Sequence, residues 1–489
     1  METVLRDVEL GGCRRADVVV SDDGLIAAVG KAQPRTGDQV IDGRGGALLP
    51  GLADRHLHLM ALAAARDSVD CGPPRVRTRE DLARALRTGA ATVPPGAWVR
   101  GIGYHESVTG PLDRALLDAL VPDRAVRVQH RGGALWTVNS AGARLLGLDP
   151  YATGSYLTGL PYGIGSHGVP DGVETDAAGR VTGRLWRLDG WLRARLGPPT
   201  VPDLATLGRL LASYGVTAVT DATPDLGWDT VDELAKAVRD GRLPQRLTLL
   251  GTGMPPPGPA DSGGDWEAGP RKLQPPDHDP WPYDVLLDRV RAARASGPGG
   301  RRPVAVHCVT RESLVLTLVA LQEIGPVPGD RIEHAAVVPP EVLPLLRELG
   351  VRVVTQPAFV AERGDAYRAD VDPADLPHLY PYASLLDAGI PVTASSDAPY
   401  GSADPWAWVR AARDRSTPEG HVLGAAERVP PGTTLPALFS RPTIRPGDWA
   451  DLCLLSVPWA DALAAPDAGL VRGTWCRGRR VYEGEGVLG

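Results

Sequence analysis

The chain has 489 residues, 43% of them hydrophobic and 23% charged, with a formal net charge of −7. That is enough chain for a large core with an accessory domain. The acidic balance excludes a broad cationic field for nucleic acid or anionic lipid.

The first fifty residues read as short extended runs. Thr3–Leu10, Ala16–Val20, Leu25–Val29 and Gln39–Ile41 are rich in Leu or β-branched residues and punctuated by Gly and Asp. Residues 66–195 mix helices such as Arg79–Arg87 and Leu112–Leu120 with Gly-rich connections and read as an insertion. Beyond it, strand-like runs alternate with helical-period segments. The runs are Val216–Thr220, Arg246–Leu250, Val304–Cys308, Arg331–Ala336, Val351–Thr355 and Val392–Ser395. The helices are Leu204–Tyr214, Val231–Arg239, Tyr283–Ala295, Arg311–Ile324, Pro340–Leu349 and Ala383–Ala388. Such alternation predicts parallel strands with crossover helices. Thr252–Pro282, rich in Gly, Pro and Asp, reads as a long loop. Ala450–Ser456, Leu470–Cys476 and Arg479–Tyr482 are again short strands. Neither terminus alone has enough strands for a stable sheet, so one small β-domain assembled from both is expected.

Glu2, Arg6, Asp7 and Glu9 interrupt the apolar run a secretory signal needs, and no stretch approaches the roughly 18 apolar residues of a membrane helix. Cys13, Cys71, Cys308, Cys453 and Cys476 are scattered, odd in number and without CxxC spacing. Neither a disulfide framework nor a thiolate zinc site is expected, and a cytoplasmic location follows. Lysine occurs only as Lys31, Lys236 and Lys272. Arginine serves wherever charge alone is wanted, so a retained lysine can mark a need for a primary amine.

Several runs end in His or Asp. His56 and His58 follow Ala47–Leu52, His307 ends Val304–Val306, His334 follows Arg331–Glu333, and Asp397 follows Val392–Ser396. In a parallel barrel the C-terminal strand ends converge on the face where active sites are built. Four His and one Asp there suit a borderline cation such as Zn²⁺. The His-x-His spacing of two suits a strand, where residues i and i+2 point to one side.

With these residues in place the chain resembles the amidohydrolase superfamily of metal-dependent hydrolases. Leu49-Pro-Gly-Leu-Ala-Asp-Arg-His-Leu-His58 is similar to its Asp-x-His-x-His signature. Val304-Ala-Val-His307, Arg331-Ile-Glu-His-Ala335 and Ser395-Ser-Asp-Ala-Pro399 match its later metal and catalytic strands. Arg445–Leu452 resembles the return into the small β-domain. Arg100–Tyr104, Leu116–Val128, Trp136–Ser140 and Thr182-Gly183 resemble the amidohydrolase type 3 group, which includes N-substituted formamide deformylases.

The resemblance implies an α/β fold: a (β/α)₈ TIM-like barrel over 51–440 beside a small β-sandwich built from 1–50 and 441–489. It implies a divalent metal cofactor, Zn²⁺ first, with one or two ions per chain. His56, His58 and Asp397 would bind one ion and His307 and His334 the second. Lys272, in Gly269-Pro-Arg-Lys-Leu273, would be carboxylated and bridge them, which requires a neutral primary amine. A metal-activated hydroxide would attack a carbonyl or amidine carbon, and Asp397 would carry the proton to the departing nitrogen.

Departures from the group's pattern fall around the pocket: Ala134 stands where a His is common, Cys308-Val-Thr-Arg-Glu312 replaces a Gly-Asp-Arg run, and Arg187 stands near a usual Glu. Tyr104, His105, His130, Trp136, Asn139 and Tyr400 are the candidate substrate-binding residues. Cys308, next to a ligand on a strand, is expected to face away as a buried thiol. His167, His278, His378 and His421 are left unassigned.

The expected function is hydrolysis of a non-peptide C–N bond (amide, formamide or cyclic amide) of a small molecule. Deamination of a heterocycle on the same metal site is the alternative, and a metal-free interaction protein the alternative from another class. The expected partner is a small-molecule substrate, with no nucleic acid and no membrane; a homo-oligomer is left open.

Overall fold

A computed structural model describes residues 2–148, 170–196, 202–253, 264–277 and 280–484. They fall into two compact units, Met1–Leu62 with Leu204–Gly489, and Ala63–Asp203. The expected insertion 66–195 lies inside the second unit.

The first unit begins with β1 (Thr3–Leu10), β2 (Arg14–Val20), β3 (Ile26–Gly30) and β4 (Gln39–Asp42), in sheet order β3-β2-β1-β4. β5 (Leu48–Pro50) and β6 (Leu52–Leu57) follow with one residue between them, and Gly51 lets the chain pass from one sheet to another. A Cβ there would come within 2.1 Å of the Thr217 hydroxyl.

The second unit holds a six-stranded mixed sheet. Its strands are β7 (Val69–Asp70), β8 (Val99–Tyr104), β9 (Val126–His130), β10 (Leu135–Val138), β11 (Val173–Thr175) and β12 (Val181–Trp186), in order β11-β12-β10-β9-β8-β7. The helix Arg79–Thr92 is capped by Thr78, whose hydroxyl accepts from Asp81 N, and packs Leu82 and Leu86 against Val99 and Val126.

The chain returns to the first unit with β13 (Val216–Asp221), β14 (Arg246–Leu249), β15 (Glu267–Ala268), β16 (Arg271–Leu273), β17 (Val304–Cys308), β18 (Arg331–His334), β19 (Arg352–Thr355) and β20 (Val392–Ala394). They form two parallel sheets, β15-β14-β13-β6 and β16-β17-β18-β19-β20. Strands covered on both faces need side chains apolar in every direction, as in Val304–Val306 and Val353–Val354, both fully buried. The helices Trp228–Arg239, Tyr283–Ala295 and Arg311–Ile324 lie between successive strands. Hydrogen bonds run on between the sheets at both edges. Lys272 N donates to Leu250 O at 3.0 Å, Asp397 N to His56 O at 2.8 Å, and His58 N to Ala398 O at 2.8 Å.

β21 (Leu452–Leu455), β22 (Val471–Cys476) and β23 (Arg479–Glu483) complete a sheet of order β23-β22-β21-β5. Leu48, Leu452, Leu454 and Trp475 from it share one core with Leu5, Val8, Val18, Val20 and Ile26 from the N-terminal sheet. Residues 400 positions apart thereby bury each other's apolar faces, which neither sheet can do alone.

Two sequence expectations are corrected, and one helix is added to those expected. The long loop Thr252–Pro282 contains β15 and β16, strands of two and three residues whose pairing with β14 and β17 supplies what their own pattern lacks. Pro340–Leu349 splits into a 3₁₀ turn, Pro340–Val342, and the helix Leu343–Glu348. Ala358–Asp370 is helical though no apolar stripe announces it, because Ala358, Phe359, Val360 and Gly364 bury only its N-terminal half. Among the described residues no helix is long and apolar enough to cross a membrane, and all five cysteines are free thiols.

The start of β17 and of β18 is held by one buried pair. Arg294 donates to both carboxylate oxygens of Asp330, at 2.5 and 2.6 Å, and the same carboxylate accepts from Val304 N and Val327 N. Asp330→Ala leaves the guanidinium buried without its partner and is expected to cost about 3–5 kcal/mol in chemical unfolding. A loss under about 1 kcal/mol would put the pair in the class of exposed ones.

Candidate metal centre

The strand ends of the first unit bring the predicted histidines together. His56 lies in β6 and His58 one residue beyond it; Nε2 of each faces Asp397 Oδ1, at 3.4 and 3.2 Å. The His56 ring lies 4.8 Å from His334, and His334 lies 4.5 Å from His307, between centroids. Four histidines and Asp397 therefore form one continuous cluster.

The backbone bends to make it. His334 and Asp397 sit at φ of 68° and 52°, with Ala335 beside them at 47°. Such left-handed conformations are uncommon outside glycine and cluster at functional sites. Strand alternation would send Glu333 and His334 to opposite faces. The turn at His334 instead brings both to the cluster, where Glu333 bonds His56 and His334 packs edge-on against His307. Cys308, by contrast, keeps the strand pattern: its thiol faces Thr317 and Ser313 O, and burial pushes it up to about 12.

Burial sets the charges. It pulls His56 down to about 4, aided by the Lys272 charge, and lowers His334 well below the ordinary imidazole value, so both rings are neutral. Burial alone would raise the Asp397 carboxyl, but the His58 hydrogen bond and the nearby His56 and His334 hold it well below the usual range, and it is ionised. Lys272 is not a solvated loop residue. It lies on β16, only 4% exposed, and burial lowers its ammonium value against the opposing pull of Glu333 and Asp397.

Each histidine has an outer partner on one ring nitrogen. His56 Nδ1 meets Glu333, which Arg331 also binds. His58 Nδ1 meets Thr223 Oγ1 at 2.9 Å, His334 Nδ1 meets Gln356 Oε1 at 2.8 Å, and His307 Nε2 meets Asp277 Oδ1 at 2.8 Å. None of these four partners was singled out in the sequence. Glu333 had a signal, lying inside the Arg331-Ile-Glu-His motif; Thr223, Asp277 and Gln356 had none. The donor atoms of His56, His58 and Asp397 all lie within 4.8 Å of one another. Imidazoles with a carboxylate, each ring oriented by an outer hydrogen bond, are the donor chemistry of a divalent transition-metal site. The residues present fit such an ion.

The sequence model described as the amidohydrolase family matches residues 39–482. The chain belongs to the amidohydrolase family. It is thus an enzyme, a hydrolase of carbon–nitrogen bonds. An N-substituted formamide deformylase from Arthrobacter pascens is 25% identical over 467 residues, covering 85% of this chain and 83% of the relative. Among solved structures, an uncharacterised metal-dependent hydrolase from Pyrococcus horikoshii superposes with a TM-score of 0.68 at 20% identity, over 93% of this chain and 97% of the other. N-isopropylammelide isopropylaminohydrolase from Burkholderia multivorans superposes with a TM-score of 0.51 at 16% identity, over 99% and 98%. These likenesses share the amidohydrolase α/β fold.

Of the predicted substrate residues, only Tyr400 belongs to the first unit. Its ring lies edge-on to His58 at 5.5 Å, and its amide donates to Asp397 O at 2.9 Å. The other five lie in the second unit. The Asn139 amide is fully engaged by backbone: Oδ1 accepts from Val126 N and Gly142 N, and Nδ2 donates to Val121 O and Arg124 O. Tyr104 and Trp136 also have internal partners. The Tyr104 hydroxyl donates to Gly110 O from within the core, and Trp136 Nε1 donates to Asp189 from a ring 4% exposed. His105 bonds Ser107, and His130 pairs with Glu106 at 3.0 Å; their rings are 6.0 Å apart. His167 and His278 lie outside the described residues. His421 meets Asp365 and Glu419 in a second, largely exposed group, where Arg368 lies 3.9 Å from Asp365.

His58→Ala is expected to lower the divalent metal content of chelator-free protein, read by elemental analysis, with far-ultraviolet circular dichroism unchanged. Undiminished metal would separate His58 from the centre.

Proposed function

We propose that this amidohydrolase cleaves an amide-type C–N bond of a small molecule, with N-substituted formamides as the first substrate class to examine. The observation that carries the proposal is the ionised Asp397 carboxylate held between His58 and a neutral His56 in a buried cluster. The Arthrobacter pascens relative, named for its action on N-substituted formamides, supports the choice of class. We read β6 and β13–β20, with β15 and β16 as one interrupted strand, as an eight-stranded barrel, and the two terminal sheets as a sandwich.

In this proposal His56, His58 and Asp397 hold one divalent ion, Zn²⁺ in the first instance. His307 and His334 hold a second, and a carboxylated Lys272 joins them. When bound, such an ion supplies Lewis acidity toward a carbonyl oxygen and lowers the pKa of a water molecule toward neutrality. The chain's own groups do the rest. Asp397 takes the proton of the attacking water on a carboxylate oxygen and returns it to the leaving nitrogen, because an amine departs poorly as an anion. His56 and His58 orient that carboxylate, and the Tyr400 ring lies edge-on to His58 beside it. Burial keeps bulk water from competing for the proton.

The direct test is to incubate the enzyme with a panel of N-substituted formamides and assay formate and amine. Release of both supports the proposal; ammonia from heterocyclic amidines, with no formate, would replace it by deamination. Asp397→Asn is expected to lower kcat by about 10²–10⁴-fold, the usual share of acid–base catalysis. Metal analysis of Lys272→Ala should show fewer ions per chain than wild type; equal content would make Lys272 structural.

A further inference from the structure

Gln356 is fully buried at the end of β19, and its side-chain amide is fixed in one orientation by its neighbours. Nε2 lies 2.9 Å from Ser395 Oγ and 3.5 Å from Val354 O, while Oε1 lies 2.8 Å from His334 Nδ1. Ser395 Oγ in turn lies 3.4 Å from Thr355 O. A backbone carbonyl can only accept, so the direction of the chain is set at its far end. The Ser395 hydroxyl donates to Thr355 O, its oxygen accepts from Gln356 Nε2, and Gln356 Oε1 is left as an acceptor. His334 Nδ1 must then carry the proton. Asp397 Oδ2, the rival acceptor for that nitrogen, is 4.0 Å away, beyond hydrogen-bond reach.

We infer that Gln356 is a positioning residue that holds His334 as the Nδ1–H tautomer, leaving Nε2 as the lone-pair nitrogen for the second divalent ion. The inference rests on the metal reading proposed above. It also separates His334 from His56. The partner of His56 is the carboxylate of Glu333, which draws on the ring proton with a full charge. The partner of His334 is a neutral amide, which fixes the tautomer without adding charge. Outer-partner substitutions at metal histidines typically weaken metal binding 10–100-fold.

Two measurements test it. In metal-free protein labelled with ¹⁵N-histidine, long-range ¹⁵N–¹H correlations report which ring nitrogen is protonated, with His334 assigned by its loss in His334→Gln. The expected wild-type pattern is Nδ1–H. Gln356→Met, which keeps the length but removes the acceptor, should shift it to a mixture. Gln356→Glu keeps an oxygen toward Nδ1 and should retain it, which also serves if the Met variant fails to fold. In the second measurement, Zn²⁺ titration of metal-free protein against a chromophoric chelator should show one ion bound about 10–100-fold more weakly in Gln356→Met and the other unchanged. Wild-type His334 protonated at Nε2 would overturn the inference. So would a Met variant with unchanged tautomer and affinity, or one that only melts at lower temperature. Wild-type protein that binds no Zn²⁺ would overturn the metal reading itself, while the ¹⁵N measurement would still decide what Gln356 does to His334.

Discussion

A carboxylate buried among imidazoles is the constraint on which the rest of this structure depends. Asp397 is ionised in a place where burial alone would neutralise it, and it is kept so by hydrogen bonding to His58 and by His56 and His334. Burial in turn keeps His56 and His334 neutral. A buried carboxylate among imidazoles is stable only if the geometry is held rigidly, since an unpaired buried charge costs several kcal/mol.

The rigidity comes from the sheet edges. Asp54 on β6 accepts from the Ser396 hydroxyl and amide beyond β20 and from His56 N. One carboxylate thus ties the strand bearing the first histidine to the segment bearing Asp397. Asp221 repeats the device on β13: it accepts from Leu59 N next to His58 and from Thr223 N, whose hydroxyl is the outer partner of His58. On the far side, Asp330 holds β17 and β18 at their starts. The end of the unit that carries the histidines is thus tied by Asp54 and Asp221, acids that spend themselves mainly on backbone amides, whereas Asp397 faces the imidazoles.

The outer hydrogen bonds divide into two kinds. Glu333 and Asp277 are charged acceptors on His56 and His307, while Thr223 and Gln356 are neutral partners on His58 and His334. Hydrogen bonding to a carboxylate raises the donor strength of a ring more than bonding to an amide or hydroxyl. The four rings, alike in sequence, are thereby unlike in chemistry.

The sequence by itself determined the ligand types and the strands that carry them. His56-x-His58, His307, His334 and Asp397 each end an apolar run, and an apolar run with a polar end is a local pattern that needs no partner to be seen. The crossover helices Tyr283–Ala295 and Arg311–Ile324 were legible for the same reason, their apolar positions recurring at helical spacing. Only the tertiary structure decided that Lys272 is buried on a strand, because a three-residue strand has no period and exists through its neighbours. Only it showed Asn139 spent on a helix cap and Tyr104 spent in a core. Only it revealed Glu333, Gln356, Thr223 and Asp277 as the outer partners. Hydrogen bonds between residues as far apart as His56 and Glu333 depend on the left-handed turn at His334 and on how strands align, and neither is written in the local order of side chains.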